Sequence, residues 1–189
     1  MRITGGLYGG RLLESPQDRT IRPTTDKVRQ AIFNILNARG VVDGAVVLDA
    51  FCGTGALGIE ALSWGGLCCT FIEKNRRSLD LCRKNYVALK IGAKSSFVLK
   101  DATKLGIKPM SESAANLVFL DPPYKQDLVQ QSLVALQSGG WIAPNAVILT
   151  ETEKTWNPAT LASLGYELIL TRDYGDTRVA LLAAPSVSR

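Results

Sequence analysis

From residue 45 onward, short apolar runs alternate with segments whose apolar positions recur at helical spacing. The runs at 45–50, 68–73, 95–100, 116–121 and 146–151 are bounded by turn residues, which predicts buried strands. Between them, 55–64, 76–89 and 128–136 place apolar residues three and four apart, which predicts helices. A short helix is expected at 158–164. The runs at 166–171 and 178–184 flank Tyr174-Gly175-Asp176 and read as a hairpin. Strands alternating with helices predict βαβ units in a doubly wound, mostly parallel α/β sheet, with the hairpin adding antiparallel strands at one edge.

The first 44 residues have a different texture. Residues 2–14, RITGGLYGGRLLE, place two short apolar stretches around glycines and predict a small β-hairpin-like arm. Residues 16–23 read as loop. Thr24-Thr25-Asp26 then offers capping chemistry for a helix whose apolar face is Val28, Ala31, Ile32, Ile35 and Leu36, with Gly40 as its stop. The chain therefore divides into an extension at 1–42 and a core domain at 43–189.

Composition narrows the chemistry. No apolar run reaches the roughly 18 residues of a membrane span, and MRITGGLYGGR has no apolar signal core, so a cytoplasmic protein is expected. There is no histidine. Cys52, Cys68, Cys69 and Cys82 form no CxxC and read as reduced thiols rather than a metal site. Without histidine, chemistry must run on carboxylates, backbone groups or a cofactor. The net charge is +5, and residues 1–40, with seven basic and three acidic side chains, hold +4 of it. That is either a footprint for nucleic acid or a solvated basic face. Its candidate phosphate ligands are Arg2, Arg11, Arg22, Lys27 and Arg29.

In an open parallel sheet, ligands bind beyond the carboxyl ends of the strands. After the first strand comes Asp49-Ala50-Phe51-Cys52-Gly53-Thr54-Gly55-Ala56-Leu57-Gly58, a glycine-rich turn opening a helix. It lacks dinucleotide spacing and the Lys-Ser/Thr of a P-loop, and so suits a ligand without phosphate. After the second comes Glu73-Lys74, about 20 residues on, where an acid can accept both hydroxyls of a ribose. After the third comes Asp101-Ala102, where a carboxylate can accept from a purine amino group. Each acid alone is more readily a solvated strand-end residue; together with the turn they make a nucleoside site. After the fourth comes Asp121-Pro122-Pro123-Tyr124. Two prolines fix the backbone, so that the Asp121 carboxylate and the Pro122 carbonyl form a two-acceptor fork beside a flat tyrosine. A planar amino group of a base fits such a fork, its ring stacked on Tyr124.

These residues, from Val46 to about Leu182, resemble a class I S-adenosylmethionine-dependent methyltransferase with its Rossmann-like sheet. The resemblance implies that Asp49, Phe51, Cys52, Gly53, Thr54, Gly55 and Leu57 lie along the methionine moiety, that Glu73 with Lys74 binds the ribose, and that Asp101 with Ala102 meets the adenine. Asp121 borders both cofactor and target. Asp-Pro-Pro-Tyr is the motif of enzymes that methylate exocyclic amino groups; adenine- and glutamine-methylating relatives often carry Asn first. Arg2-Ile3-Thr4-Gly5-Gly6, Gly10-Arg11, Arg22-Pro23-Thr24, Val28 to Asn34 and Tyr174-Gly175-Asp176-Thr177 are similar to the small-subunit ribosomal RNA methyltransferase D family. That similarity implies a monomeric guanine-N2 methyltransferase using S-adenosyl-L-methionine on 16S ribosomal RNA in the assembling 30S subunit. Cys52, where many members have Ala, is a departure between small residues. The alternatives are an adenine-N6 or other amino methyltransferase of DNA or RNA, and a non-catalytic RNA-binding assembly factor.

Overall fold

A computed structural model of the 189-residue chain describes residues 1–15, 25–123 and 127–186. The expected loop at 16–23, Arg22, Thr24 and Tyr124 lie outside the described residues. Seven strands, β1 (Val46–Ala50), β2 (Cys68–Glu73), β3 (Lys94–Leu99), β4 (Ala115–Leu120), β5 (Ile142–Glu153), β6 (Glu167–Tyr174) and β7 (Thr177–Ala183), form one sheet in the order β3-β2-β1-β4-β5-β7-β6. The first five run parallel, and β7 returns antiparallel between β5 and β6. The helices are α1 (Asp26–Ala38), α2 (Ala56–Ser63), α3 (Arg76–Ala88) and α4 (Asp127–Ser138). The alternation read from the sequence is thus the alternation of the fold.

Three boundaries differ for local reasons. β5 starts at Ile142 because the ladder with β4 shifts register around Asn145, whose φ of 58° breaks the apolar alternation. Pro158–Leu164 is a 3-10 helix, held between the Asn157 cap, which accepts from Ala159 N at 3.0 Å, and left-handed Gly165. The hairpin strands run to Tyr174 and from Thr177, because Gly175 at φ 63° closes a turn of only two residues.

Side chains alternate between two core layers. Val47, Phe71, Leu117, Phe119 and Leu149 face the layer covered by α1, α2 and α3, while Leu48, Ile72, Val118, Leu120 and Ile148 face the layer covered by α4. Among the described residues no helix is long and apolar enough to cross a membrane.

The arm is a tight hairpin. Ile3 N donates to the Arg11 carbonyl at 2.9 Å and Leu13 N to the Met1 carbonyl at 3.0 Å, while Ile3 and Leu13 are buried in the first core layer. Gly6, at φ 72°, lies so close to α2 that a Cβ would sit 1.9 Å from the Ser63 carbonyl oxygen. Thr25 caps α1 by accepting from Val28 N at 3.3 Å. The buried face of α1 is Arg29, Ile32, Phe33 and Leu36, rotated from the predicted stripe because Arg29 points inward. Phe33 then packs between Trp64 and Phe119, at ring distances of 6.4 and 5.8 Å.

Arg29 and Glu60 are both fully buried, and Arg29 Nε donates to Glu60 Oε2 at 3.1 Å. Glu60 also accepts from Thr4 N, Thr4 Oγ1, Gly5 N and Trp64 Nε1 at 2.7–3.1 Å. Arg29 further donates to Asp26 at 2.8 Å and to the Arg2 carbonyl. Removing one partner of such a pair strands a buried charge. Arg29→Met is expected to lower the free energy of unfolding by about 3–5 kcal/mol, read from urea denaturation; a loss below about 1 kcal/mol, the value of a surface pair, contradicts this role.

Candidate functional site

The site is built where the parallel strands end. β1, β2 and β4 stand in register, Ala50 beside Ile72 and Leu120, and Leu120 beside Thr150. The loops after β1, β2 and β4 therefore leave from one edge, as does the loop after β3, which pairs with Glu73 at Leu99.

The glycine turn folds back on this edge. Phe51, Gly53 and Gly55 all take positive φ, of 68°, 53° and 79°. A side chain at Gly55 is excluded, since a Cβ would meet Cys82 Sγ at 2.4 Å. Cys52 N donates to the Ile72 carbonyl at 3.0 Å, and Asn85 Nδ2 to the Thr54 carbonyl at 3.0 Å. The turn is thus pinned to β2 on one side and α3 on the other. Phe51 and Thr54 are half-buried, whereas Cys52 and Leu57 are buried in the core. Cys52 and Cys82 lie side by side, and their mutual hydrogen bond, with burial, pushes the Cys52 thiol well up, so it is no nucleophile.

Glu73 is held by backbone donors. Oε2 accepts from Gly53 N at 3.2 Å and Oε1 from Asn75 N at 2.8 Å. Each oxygen keeps a second lone pair, so the carboxylate can still take two hydroxyl donors side by side. Lys74 beside it is exposed. Asp101 caps the 3-10 turn Ala102–Lys104, accepting from Thr103 N at 2.9 Å and Thr103 Oγ1 at 2.7 Å, both on Oδ1. Those two bonds hold its carboxyl below the usual range, and Ala102 is buried beneath it.

Three further carboxylates share one face of the sheet. Asp49 is 2% exposed and accepts from Gly58 N at 2.8 Å. Burial pushes its carboxyl up to about 7, and the charges of Glu73 and Glu151 add to the shift against the Gly58 bond. Asp121, half-buried, continues the β4 alternation onto the same side as Asp49 and Glu151. Burial first, then the charges of Glu151 and Asp49, push it well above the ordinary carboxylate range. Pro122 is buried and Pro123 exposed. Sequence reasoning missed Glu151, which ends the apolar run of β5 and is 4% exposed. Its signal lies in the same pattern, because Glu151 closes the fifth apolar run as Asp121 closes the fourth. Three acids on one side of the sheet, two of them buried, suit a cationic guest.

Of the basic arm residues, Arg2, Arg11 and Lys27 are exposed, although Arg2 also donates to the Gly10 carbonyl and Arg11 to the Leu89 carbonyl at 3.1 Å. Arg29 is a correction. It is fully buried against Glu60 and cannot reach a phosphate. Its charge belongs to the fold, which a count of cations along the sequence does not separate from surface charge.

The pattern of the family described as "Conserved hypothetical protein 95" matches residues 1–183, arm included. The Escherichia coli protein named Ribosomal RNA small subunit methyltransferase D is 38% identical over 153 residues, 81% of this chain and 75% of that one. Its Haemophilus influenzae namesake is 35% identical over 155 residues, 82% of this chain and 79% of that one. The solved structure of an Escherichia coli protein described as a methyltransferase, YhhF, superimposes with a TM-score of 0.80 at 33% identity over 98% of both chains.

The raised Asp49 carboxyl fixes the sign of a pH effect. An unfolded aspartate titrates near 3.8 and the folded one near 7. Between those values the folded state holds the extra proton, so this residue makes stability fall as pH rises from about 4 to 7. Asp49→Asn is expected to remove that slope, leaving the variant about 1–3 kcal/mol less sensitive to a change from pH 5 to 7.5. Urea titrations at both pH values check it; parallel pH responses of the two proteins refute it.

Proposed function

This chain belongs to the ribosomal RNA small subunit methyltransferase D family, and on that premise we propose that it transfers a methyl group from S-adenosyl-L-methionine to the N2 amino group of a guanine in 16S ribosomal RNA, within the assembling 30S subunit. The observation that carries this reading is the convergence, at the ends of the parallel strands, of a glycine turn, a backbone-held Glu73, a capping Asp101 and the segment Asp121-Pro122. The donor set fits the cofactor. Glu73 offers two parallel acceptors for ribose hydroxyls, and Asp101 an acceptor for an adenine amino group. Asp49, Asp121 and Glu151 give a field that favours positive charge at the strand ends. Phe51, Gly53, Thr54 and Gly55 form the wall of the methionine channel. When bound, the cofactor supplies a methyl group on a positively charged sulfur.

The chain's own residues do the rest. The Asp121 carboxylate and the Pro122 carbonyl accept the two protons of the target amino group. That grip turns the nitrogen out of conjugation with the ring and exposes its lone pair. Asp121 then stabilises the positive charge that nitrogen acquires, before the proton leaves. Tyr124 is the proposed stacking face. A guanine must leave its helix stack to enter, so the target is an unpaired or flipped base. Arg2, Arg11, Arg22 and Lys27 are the proposed arm contacts to the phosphate backbone. An enzyme with this substrate acts in the cytoplasm.

The test is transfer of labelled methyl to 16S ribosomal RNA and to 30S particles, followed by nucleoside analysis; N6-methyladenosine without N2-methylguanosine overturns the reading. Asp121→Ala is expected to lower kcat by about 10²–10⁴-fold with a much smaller change in cofactor affinity. Glu73→Ala is expected to cost about 1–3 kcal/mol of cofactor affinity in calorimetry. Near-normal turnover in the first, or unchanged affinity in the second, removes that residue from its role.

A further inference from the structure

The arm is not the most basic part of this chain. Residues 74–108 hold ten basic and two acidic side chains, a net of +8 against +5 for the whole protein. The charge is hidden in a total over residues 41–189, because the segments on either side are acidic. In the fold this segment is α3, the edge strand β3 and their connections. Leu79, Cys82 and Asn85 face the core, which leaves Arg76, Arg77, Arg83, Lys84 and Lys90 on the exposed side of α3 and just past its end.

The contacts of α3 make the face continuous in two directions. Toward the arm, Lys84 pairs with Glu14 at 2.8 Å, and Asn85 exchanges hydrogen bonds with the Glu14 backbone at 2.8 and 3.1 Å. Arg11 also reaches the end of this helix, donating to the Leu89 carbonyl. Toward the sheet edge, Arg83 lies over the Phe97 ring at 5.3 Å and donates to its carbonyl at 3.4 Å. The helix begins at Asn75, whose N–H holds Glu73, so the face starts at the catalytic edge and runs away from it. Among the described residues Arg76, Arg77, Lys90 and Lys94 have no carboxylate within ion-pair distance. Arg83 pairs with Asp80 at 4.0 Å, whereas Arg76 and Arg77 are adjacent in the first turn of α3. Like charges placed this way repel unless a polyanion offsets them.

We propose that the exposed face of α3, with the adjoining β3 edge, is a second contact surface for the RNA phosphate backbone, continuous with the arm. It carries the strand that enters the catalytic edge. This rests on the reading that the substrate is RNA.

The experiment uses the full chain and a 16S ribosomal RNA transcript. Affinity is measured across salt concentrations for the wild type, for Arg77→Ala/Lys90→Ala on this face, and for Lys154→Ala/Arg172→Ala at the opposite sheet edge. Each lost phosphate contact flattens the log–log slope by about 0.7–0.9, so the α3 double variant is expected to flatten it by about 1.4–1.8. The opposite-edge variant and the charge-keeping swap Arg77→Lys/Lys90→Arg are expected to keep the wild-type slope. Cofactor affinity in the α3 variant is expected to match wild type, which shows that the fold survives. An unchanged slope in the α3 variant overturns the proposal, as does an equal flattening at the opposite edge. If the wild type methylates the RNA but the α3 slope does not move, this surface fails and the substrate reading stands. A wild-type affinity that ignores salt sinks both.

Discussion

Glu60 is the group through which hydrogen bonds join the arm, α1 and α2. It sits with no exposed surface in the middle of α2, where an unpaired carboxylate would cost several kcal/mol. Its donors come from three separate stretches of chain: the arm through Thr4 and Gly5, α1 through Arg29, and its own helix through Trp64. α2 also carries the glycine turn at its N-terminus. The arm is therefore joined to the helix that shapes the strand-end site. A peripheral hairpin on a loose tether would not need the Cβ-free approach of Gly6 to Ser63. The arm is part of the same hydrophobic layer as the sheet, through Ile3 and Leu13.

The strand-end acids are the opposite case. Glu60 is buried and surrounded by donors, so it specifies structure. Asp49, Asp121 and Glu151 stand on one side of the sheet, and burial, with the carboxylates' mutual repulsion added, pushes the titration of Asp49 and Asp121 upward. A fold gains nothing from such crowding; replacing these groups by apolar ones of similar size would be easier to stabilise. Strain of this kind collects where a ligand relieves it. The same fold thus shows two uses of charge, one closed within the protein and one left at the strand ends.

How much of this could be read from the sequence follows from what a linear pattern records. The strand-end acids after β1 to β4 were legible because the period of apolar runs fixes where each strand stops, and topology puts all stops of parallel strands on one edge. In a count of cations Arg29 weighs the same as the exposed Lys27 and Arg39; only the buried face it shares with Phe33 and Leu36 shows that it points inward. The basic face of α3 was hidden because a charge total over residues 41–189 averages it against acids that the fold places elsewhere. Glu151 closes the fifth apolar run, but its place beside Asp121 follows only from the ladder that pairs Leu120 with Thr150. The shifted start of β5 depends on the left-handed turn at Asn145, which propensity does not foresee.

The crowding of acids also bears on how the proposed fork works. Asp121 accepts an amino proton more strongly as a carboxylate, whereas burial, and then the charges of Glu151 and Asp49, raise its affinity for a proton of its own. A cation brought to the same edge reverses that balance, because an opposite charge within a few ångströms favours the carboxylate by one to several pKa units, about 1.4 kcal/mol for each. On the proposed reading a cation held at the strand ends would make Asp121 the stronger acceptor, and the same carboxylate would offset positive charge on the target nitrogen. On the same reading these carboxylates would take the proton that nitrogen loses. In a chain with no histidine, burial and then the neighbouring charges raise the proton affinity of Asp49 and Asp121, which suits them to that task.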